Sequence, residues 1–331
     1  MDIRLHQLKD LVFKINSTAK FSSLALDIFN YQARNNPVYS KYLELLGRKE
    51  QKIQTVEEIP FLPIEFFKRE KVLSDTSPPE LIFESSATTS RVPSRHYVAD
   101  QQLYINSFTR CFELFLGKPS RYCILALLPS YLERKNSSLA FMADELIKIS
   151  KHPLSGFFLN DYEKLFERLK KLEADGSRTI LLGVAFALMD FAEKFPISLK
   201  NSIVIETGGM KGRRKEITRA ELHSFLKQRF GVEKIYSEYG MTELLSQAYS
   251  TGNGIFKSPP WMKILVRNPL DPFEYLPAGE TGALNIIDLA NIHSCAFIQT
   301  DDLGKLHPDG TFEIFGRLAH AELRGCNLLL E

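Results

Sequence analysis

Thr179-Ile180-Leu181-Leu182-Gly183-Val184 carries no polar face, the pattern of a strand covered on both sides. Beyond Val184 helix and strand alternate. Phe186 to Phe195 has helical spacing, Ser202 to Ile205 is a second apolar strand, and Thr218 to Phe230 is a helix. That helix opens on a capping box, Thr218 to Glu221, and is closed by Gly231. Lys234 to Tyr236 is a further short strand. Strands separated by helices imply a mainly parallel sheet with helices on its faces, so the fold class is α/β.

Toward the N-terminus the same texture continues. Tyr162 to Ala174 is amphipathic and ends at Asp175-Gly176, and Tyr122 to Leu128 is a buried strand stopped by Pro129. Ser137 or Ser138 caps a helix through Ala140, Met142, Leu146 and Ile149. The first 75 residues are helical, with Leu5, Leu8, Leu11 and Val12 in register, and Pro37, Pro60 and Pro63 cut them into short pieces. After Pro260 the pattern changes. Met262 to Arg267, Gly282 to Ile287, Ala296 to Gln299 and Phe312 to Phe315 are strands separated by turns instead of helices. This places the seam near residue 260, between an α/β body with a helical N-terminal segment (1–260) and a smaller β-rich lobe (261–331) that completes the site.

Composition excludes several classes. The chain has 331 residues, 44% hydrophobic and 25% charged, with a formal net charge of +2, which argues against nucleic acid as partner. Cys111, Cys123, Cys295 and Cys326 form no CxxC pair and no zinc spacing. The start, Met1-Asp2-Ile3-Arg4-Leu5-His6, is no signal peptide, and the most apolar stretch, Ile180 to Ala192, is too short to span a bilayer and contains Asp190. The expectation is a cytoplasmic protein without a membrane span.

Four loops carry residue types suited to a nucleotide. After Leu81-Ile82-Phe83 comes a loop with the hydroxyls of Ser85, Ser86, Thr88, Thr89 and Ser90, which can donate to phosphate oxygens. Gly208-Gly209 follows the strand ending at Ile205 and lets the backbone approach a flat ligand closely. Tyr239-Gly240-Met241-Thr242-Glu243 turns on Gly240 and sets a hydroxyl beside a carboxylate, a pair able to hold a phosphate and its magnesium ion. Thr300-Asp301-Asp302 offers acceptors for a ribose diol, and Arg317 can clamp a phosphate or ribose oxygen. Each stretch also reads as ordinary structure. The first two read equally as plain turns, the third as a helix start with an acidic first turn, and the fourth as a surface turn with a salt bridge.

Their order carries more than any one of them. The chain resembles the adenylate-forming superfamily of acyl-CoA synthetases, luciferases and peptide-synthetase adenylation domains, which shows a Ser/Thr/Gly-rich phosphate loop, YGxTE, TGD and GR in sequence. Here stand Ser85 to Ser90, Tyr239 to Glu243, Thr300-Asp301-Asp302 and Gly316-Arg317. Within that superfamily the chain is most similar to the acyl-protein synthetases, the long-chain-fatty-acid–luciferin-component ligases. The likeness rests on Leu127 to Arg134, Glu206 to Lys215 and Arg324-Gly325-Cys326-Asn327. It implies the large N-terminal domain of the adenylate-forming fold, with the C-terminal lid domain absent.

The resemblance also implies roles. Ser85, Ser86, Thr88 and Thr89 would line the β- and γ-phosphates, and Gly208, Gly209 and Tyr239, with the turn at Gly240, would border the adenine. Thr242 would contact the α-phosphate, Glu243 would hold Mg2+, and Asp302 would take the ribose hydroxyls with Arg317 nearby. The acyl group would enter near Tyr131, Ser138 and the Gly183-Val184-Ala185 turn. The implied reaction uses ATP and Mg2+ to activate a carboxylic acid, a fatty acid in the family, as an acyl-adenylate with release of pyrophosphate. Transfer to a protein or carrier thiol comes next. Cys326 is the one candidate near the end of the chain for carrying an acyl group, against the plain reading of a structural cysteine.

The chain departs from the superfamily pattern in ways that favour the alternative, a catalytically impaired homologue that binds a nucleotide or acyl partner without turnover. Ala87 and Ser90 stand where the phosphate loop has glycines, Ser94 stands where a lysine follows the proline, and Asp301 replaces the TGD glycine. Arg91 or Arg95 would have to supply the missing cation from a shifted position.

Overall fold

The computed structural model describes residues 3–74, 78–85, 92–129, 133–159, 161–209 and 217–318. The chain divides into two compact units, Pro79–Pro259 and a second made of Met1–Pro78 with Pro260–Glu331. Sequence reading puts one seam near 260; the structure divides the chain at 78/79 as well, so the helical N-terminal segment counts with the C-terminal strands.

The physical reason lies in buried amides. Gln32, fully buried on the helix Thr18–Asn35, donates from Nε2 to the carbonyls of Asn291 and Ile292 at 3.0 and 2.9 Å, and its Oε1 accepts from the Ala296 amide at 3.0 Å. Asn36 Nδ2 donates to the Ser294 carbonyl at 2.9 Å while its Oδ1 caps the next helix, Pro37–Leu45, by accepting from Tyr39 N. Pro37 therefore starts that helix, with no N–H to lose at the first turn, where sequence reading takes it only as a break. Phe29, Tyr39 and Phe61 pack around Phe297, with ring centroids 6.1–6.4 Å apart. The strands of this unit, Met262–Arg267, Thr281–Asp288, Phe297–Leu306 and Phe312–Arg317, pair antiparallel in that order, and Leu62–Pro63 adds parallel to Phe297–Leu306.

In the 79–259 unit five strands run parallel in the order Gly156–Phe157, Cys123–Leu127, Thr179–Val184, Ser202–Thr207 and Tyr236–Tyr239. Ala248–Ser250 and Phe256–Lys257 extend the sheet antiparallel. Cys123–Leu127 and Thr179–Val184 are buried at every position, as their unbroken apolar runs require. The helix Arg219–Phe230 has both bonds of the Thr218–Glu221 capping box and ends at Gly231 in the left-handed conformation, φ 61°. The helix Ser138–Ser150 is capped by Ser137, and Tyr162–Ala174 by Asp161. A separate hairpin pairs Leu81–Glu84 with Arg95–Val98.

Candidate functional site

Parallel strands send their exit loops out of the same edge of a sheet, and that edge is where ligands of open α/β sheets bind. The register sets Val184 beside Thr207, and Thr207 beside Glu238. The Gly208-Gly209 loop and the Tyr239 to Glu243 loop therefore leave neighbouring strands at one edge, with Gly208 at φ 66° as the turn requires. After Glu243 no helix forms. The chain goes through a turn, with Leu244 N donating to Met241 O at 3.2 Å, into the strand Ala248–Ser250. The alternative of a helix start at Thr242 is thus excluded.

Three ties hold this edge. Thr207 Oγ1 donates to Glu238 Oε2. His96, on the strand Arg95–Val98, places Nδ1 2.8 Å from the Thr242 carbonyl. A carbonyl only accepts, so Nδ1 carries the proton. Glu206, buried beside Thr207, accepts from Arg219 Nε at 3.1 Å and lies 3.4 Å from His223 Nε2, which is in turn 3.3 Å from Ser237 Oγ. Burial pushes the Glu238 carboxyl up to about 7; the charge of Glu206 adds to the rise and the hydrogen bond from Thr207 opposes it. Tyr239 is half-buried and edge-on to Phe256 at 6.1 Å, and the Arg219 guanidinium lies over the Phe256 ring, 5.0 Å from its centroid. Glu243 is buried and Thr242 partly exposed.

Of the phosphate loop, Ser86, Thr88 and Thr89 lie outside the described residues, as do Arg91, Tyr131 and Cys326. Ser85 is described, and its Oγ accepts from the Ser94 amide and hydroxyl at 3.0 and 3.1 Å, closing the base of the hairpin. Arg95 is paired with Glu84, Nε to Oε1 at 3.1 Å, and Asn136 Nδ2 donates to the other oxygen of Glu84 at 3.2 Å. Gly183, at the expected acyl entry, is in the core, where an added Cβ would come within 2.7 Å of Leu188 Cγ; Ser138 opens its helix and its carbonyl accepts from Tyr104 Oη at 3.2 Å.

In the second unit the structure brings Asp302 and Arg317 together as cross-strand partners, Arg317 Nε donating to Asp302 Oδ1 at 3.1 Å. Asp302 is buried and the Arg317 side chain is exposed. Asp302 stands inside its strand and Arg317 ends the facing one: the strand expected over 296–299 runs on to Leu306, with a register shift at Leu303/Gly304. The fourth loop is therefore not a surface turn, although its salt bridge exists. Thr300 Oγ1 donates to the Leu284 carbonyl at 2.7 Å and accepts from Asp302 N at 3.1 Å. The added charge of Asp301 interacts with buried Arg267, whose pKa burial lowers and Asp301 raises. Among the described residues no group of three or more His, Cys, Asp or Glu could hold a metal ion. Magnesium on a triphosphate needs only one or two carboxylates, the remaining ligands being phosphate and water, so buried Glu243 fits that demand by itself.

The fold is similar to that of solved ligase structures. MatB from Rhodopseudomonas palustris, solved with ATP bound, superposes with a TM-score of 0.55 at 18% identity, over 73% of this chain and 49% of that one. A 2-hydroxyisobutyryl-CoA ligase in complex with 2-HIB-AMP and CoA superposes at 0.69 and 14% identity, over 92% and 69% of the two chains. Residues 14–331 match the family described as Acyl-protein synthetase, LuxE, and the chain belongs to that family of ligases. Its relatives include the long-chain-fatty-acid–luciferin-component ligases of Vibrio harveyi and Aliivibrio fischeri, 22% and 23% identical over 93% and 92% of this chain and 86% of each relative. Among the described residues no helix is long and apolar enough to cross a membrane.

Proposed function

We propose that this chain activates a carboxylic acid, of the fatty-acid class, with ATP and then passes the acyl group to a thiol on a protein or carrier. The observation that supports this most is the exit of Gly208-Gly209 and Tyr239 to Glu243 from adjacent parallel strands at one edge of the sheet. In the proposed reaction a carboxylate oxygen of the acid attacks the α-phosphorus, the bond to the bridging oxygen breaks, and pyrophosphate leaves. Magnesium would neutralise the phosphate charge and is assigned to Glu243. The protein's own part is positioning and electrostatics. Gly208, Gly209, Tyr239 and Gly240 border the adenine, Ser85, Ser86, Thr88 and Thr89 the terminal phosphates, and Thr242 the α-phosphate. Asp302, already bonded to Arg317, offers acceptor oxygens to the ribose hydroxyls.

One observation favours the second reading, binding without turnover. Arg95, a substitute for the missing phosphate-loop lysine, is engaged with Glu84. Acid-dependent exchange of labelled pyrophosphate into ATP, over acids of increasing chain length, separates the two. Exchange that is abolished by Glu243→Gln supports the synthetase. Nucleotide binding with no exchange for any acid supports the binder.

A further inference from the structure

We propose that Glu238 is a positioning residue that locks the Thr207-Gly208-Gly209 loop to the Tyr239 to Glu243 loop, so that both meet a nucleotide in one fixed arrangement. The inference rests on the nucleotide reading of these loops and adds a residue that no motif contains.

Two contacts carry it. One carboxyl oxygen of Glu238 accepts from Thr207 Oγ1, on the neighbouring strand at the residue just before Gly208. The other lies against Gly240, where an added Cβ would come within 2.6 Å of Glu238 Oε1 and 3.3 Å of Gln247 Cγ. One side chain thus touches the start of both loops, and glycine at 240 is what leaves room for it. The groups facing it give no other reason for an acid there. Tyr249 is its partner on the opposite strand, Glu206 adds a like charge, and no cation pairs with it among the described residues. A buried carboxyl without a cation weakens a fold unless it holds something in place. Here it holds the threonine hydroxyl, as a neutral acid or an isosteric amide can.

The test uses the full chain and the variants Glu238→Gln, Glu238→Leu and Thr207→Val, each checked for folding by circular dichroism. Hydrogen exchange is measured without nucleotide, and MgATP affinity by calorimetry. Losing one buried hydrogen bond corresponds to about a tenfold change. Thr207→Val and Glu238→Leu are expected to speed exchange at the amides of 208, 209 and 240–243 together and to weaken MgATP by about that factor. The double variant should be no worse than the more affected single one. Glu238→Gln, which keeps the acceptor, should match the unmodified chain in MgATP affinity and should not speed exchange at these amides. If Glu238→Leu does not fold, Thr207→Val carries the test unaided. Wild-type exchange and affinity in the folded Thr207→Val and Glu238→Leu variants overturn the proposal while the nucleotide reading stands. No MgATP binding by the unmodified chain overturns the nucleotide reading, and the positioning role falls with it.

Discussion

Replacing Glu238 by Gln should make stability less sensitive to pH, and the size of the effect is set by where the carboxyl sits. Its ordinary value of 4.5 is raised to about 7, chiefly by burial. The unfolded chain releases this proton near the lower value and the native chain near the higher. Between them the native state binds more protons, so stability falls as pH rises, then levels off above about 7. At about 1.4 kcal/mol per pH unit the loss is about 3 kcal/mol between pH 5 and 8. Other carboxylates, held by hydrogen bonds or cations, change stability in the opposite direction over lower pH. The difference between the two proteins therefore isolates this group. Glu238→Gln has no proton to lose and keeps the shape and the acceptor for Thr207. The midpoint of thermal unfolding is measured for both proteins at pH 5, 6, 7 and 8. At roughly 2 °C per kcal/mol, the gap in favour of the variant should widen by roughly 6 °C across the series. Glu206 and Tyr249 face the same carboxyl and remain in the variant; the Glu206 charge adds to the gap only by raising the Glu238 carboxyl, and burial is the larger cause. A difference that stays constant from pH 5 to 8 would refute the account of Glu238 as a buried acid that titrates near neutrality.

Three further outcomes are expected. Gln32→Leu removes three buried hydrogen bonds, taking their partner from the Ile292 carbonyl and the Ala296 amide while the Asn291 carbonyl keeps its bond from the Ser294 amide, so it should cost about 3 kcal/mol, read by urea unfolding. MgATP at a hundred times its dissociation constant should stabilise the chain by about 2.7 kcal/mol, and Asp302→Ala, which also removes the ion pair to Arg317, should remove most of that shift in a thermal melt. Gly240→Ala should weaken MgATP at least as much as Thr207→Val does, because the new methyl displaces the Glu238 carboxyl from both loops; wild-type affinity in that variant would count against the packing at 240.

Much of the fold is legible in local patterns. The run Thr179 to Val184 is a strand over those residues, and the capping box at Thr218 forms with both its bonds. The helix Tyr162–Ala174 matches its amphipathic spacing. These features depend on neighbours a few residues away. The features that escape a sequence reading depend on partners far along the chain. Arg95–Val98 is a strand because Leu81–Glu84 pairs with it, and Ala248–Ser250 because Tyr236–Tyr239 and Phe256–Lys257 flank it. Glu238 and His96 do not stand out, because an acid within YSEYG and a histidine within RHYV have no signature of their own. Their partners, Thr207 and the Thr242 carbonyl, lie 31 and 146 positions away. Asp302 and Arg317 are visible as motif residues, and the register that pairs them is not.

The division of the chain also sets an order of events during synthesis. Residues 79–259 are contiguous and can close their parallel sheet once they leave the ribosome, whereas the first 78 residues belong with residues beyond 260. At roughly 5–20 residues per second, those early helices wait on the order of 10–50 s before Asn291 to Ala296 emerge to meet Gln32 and Asn36. During that interval Phe29 and Tyr39 have no Phe297 to pack on, and their apolar faces are open to chaperones and to other nascent chains. The yield of folded protein should accordingly be governed by how these helices are shielded while the C-terminal strands are still being made.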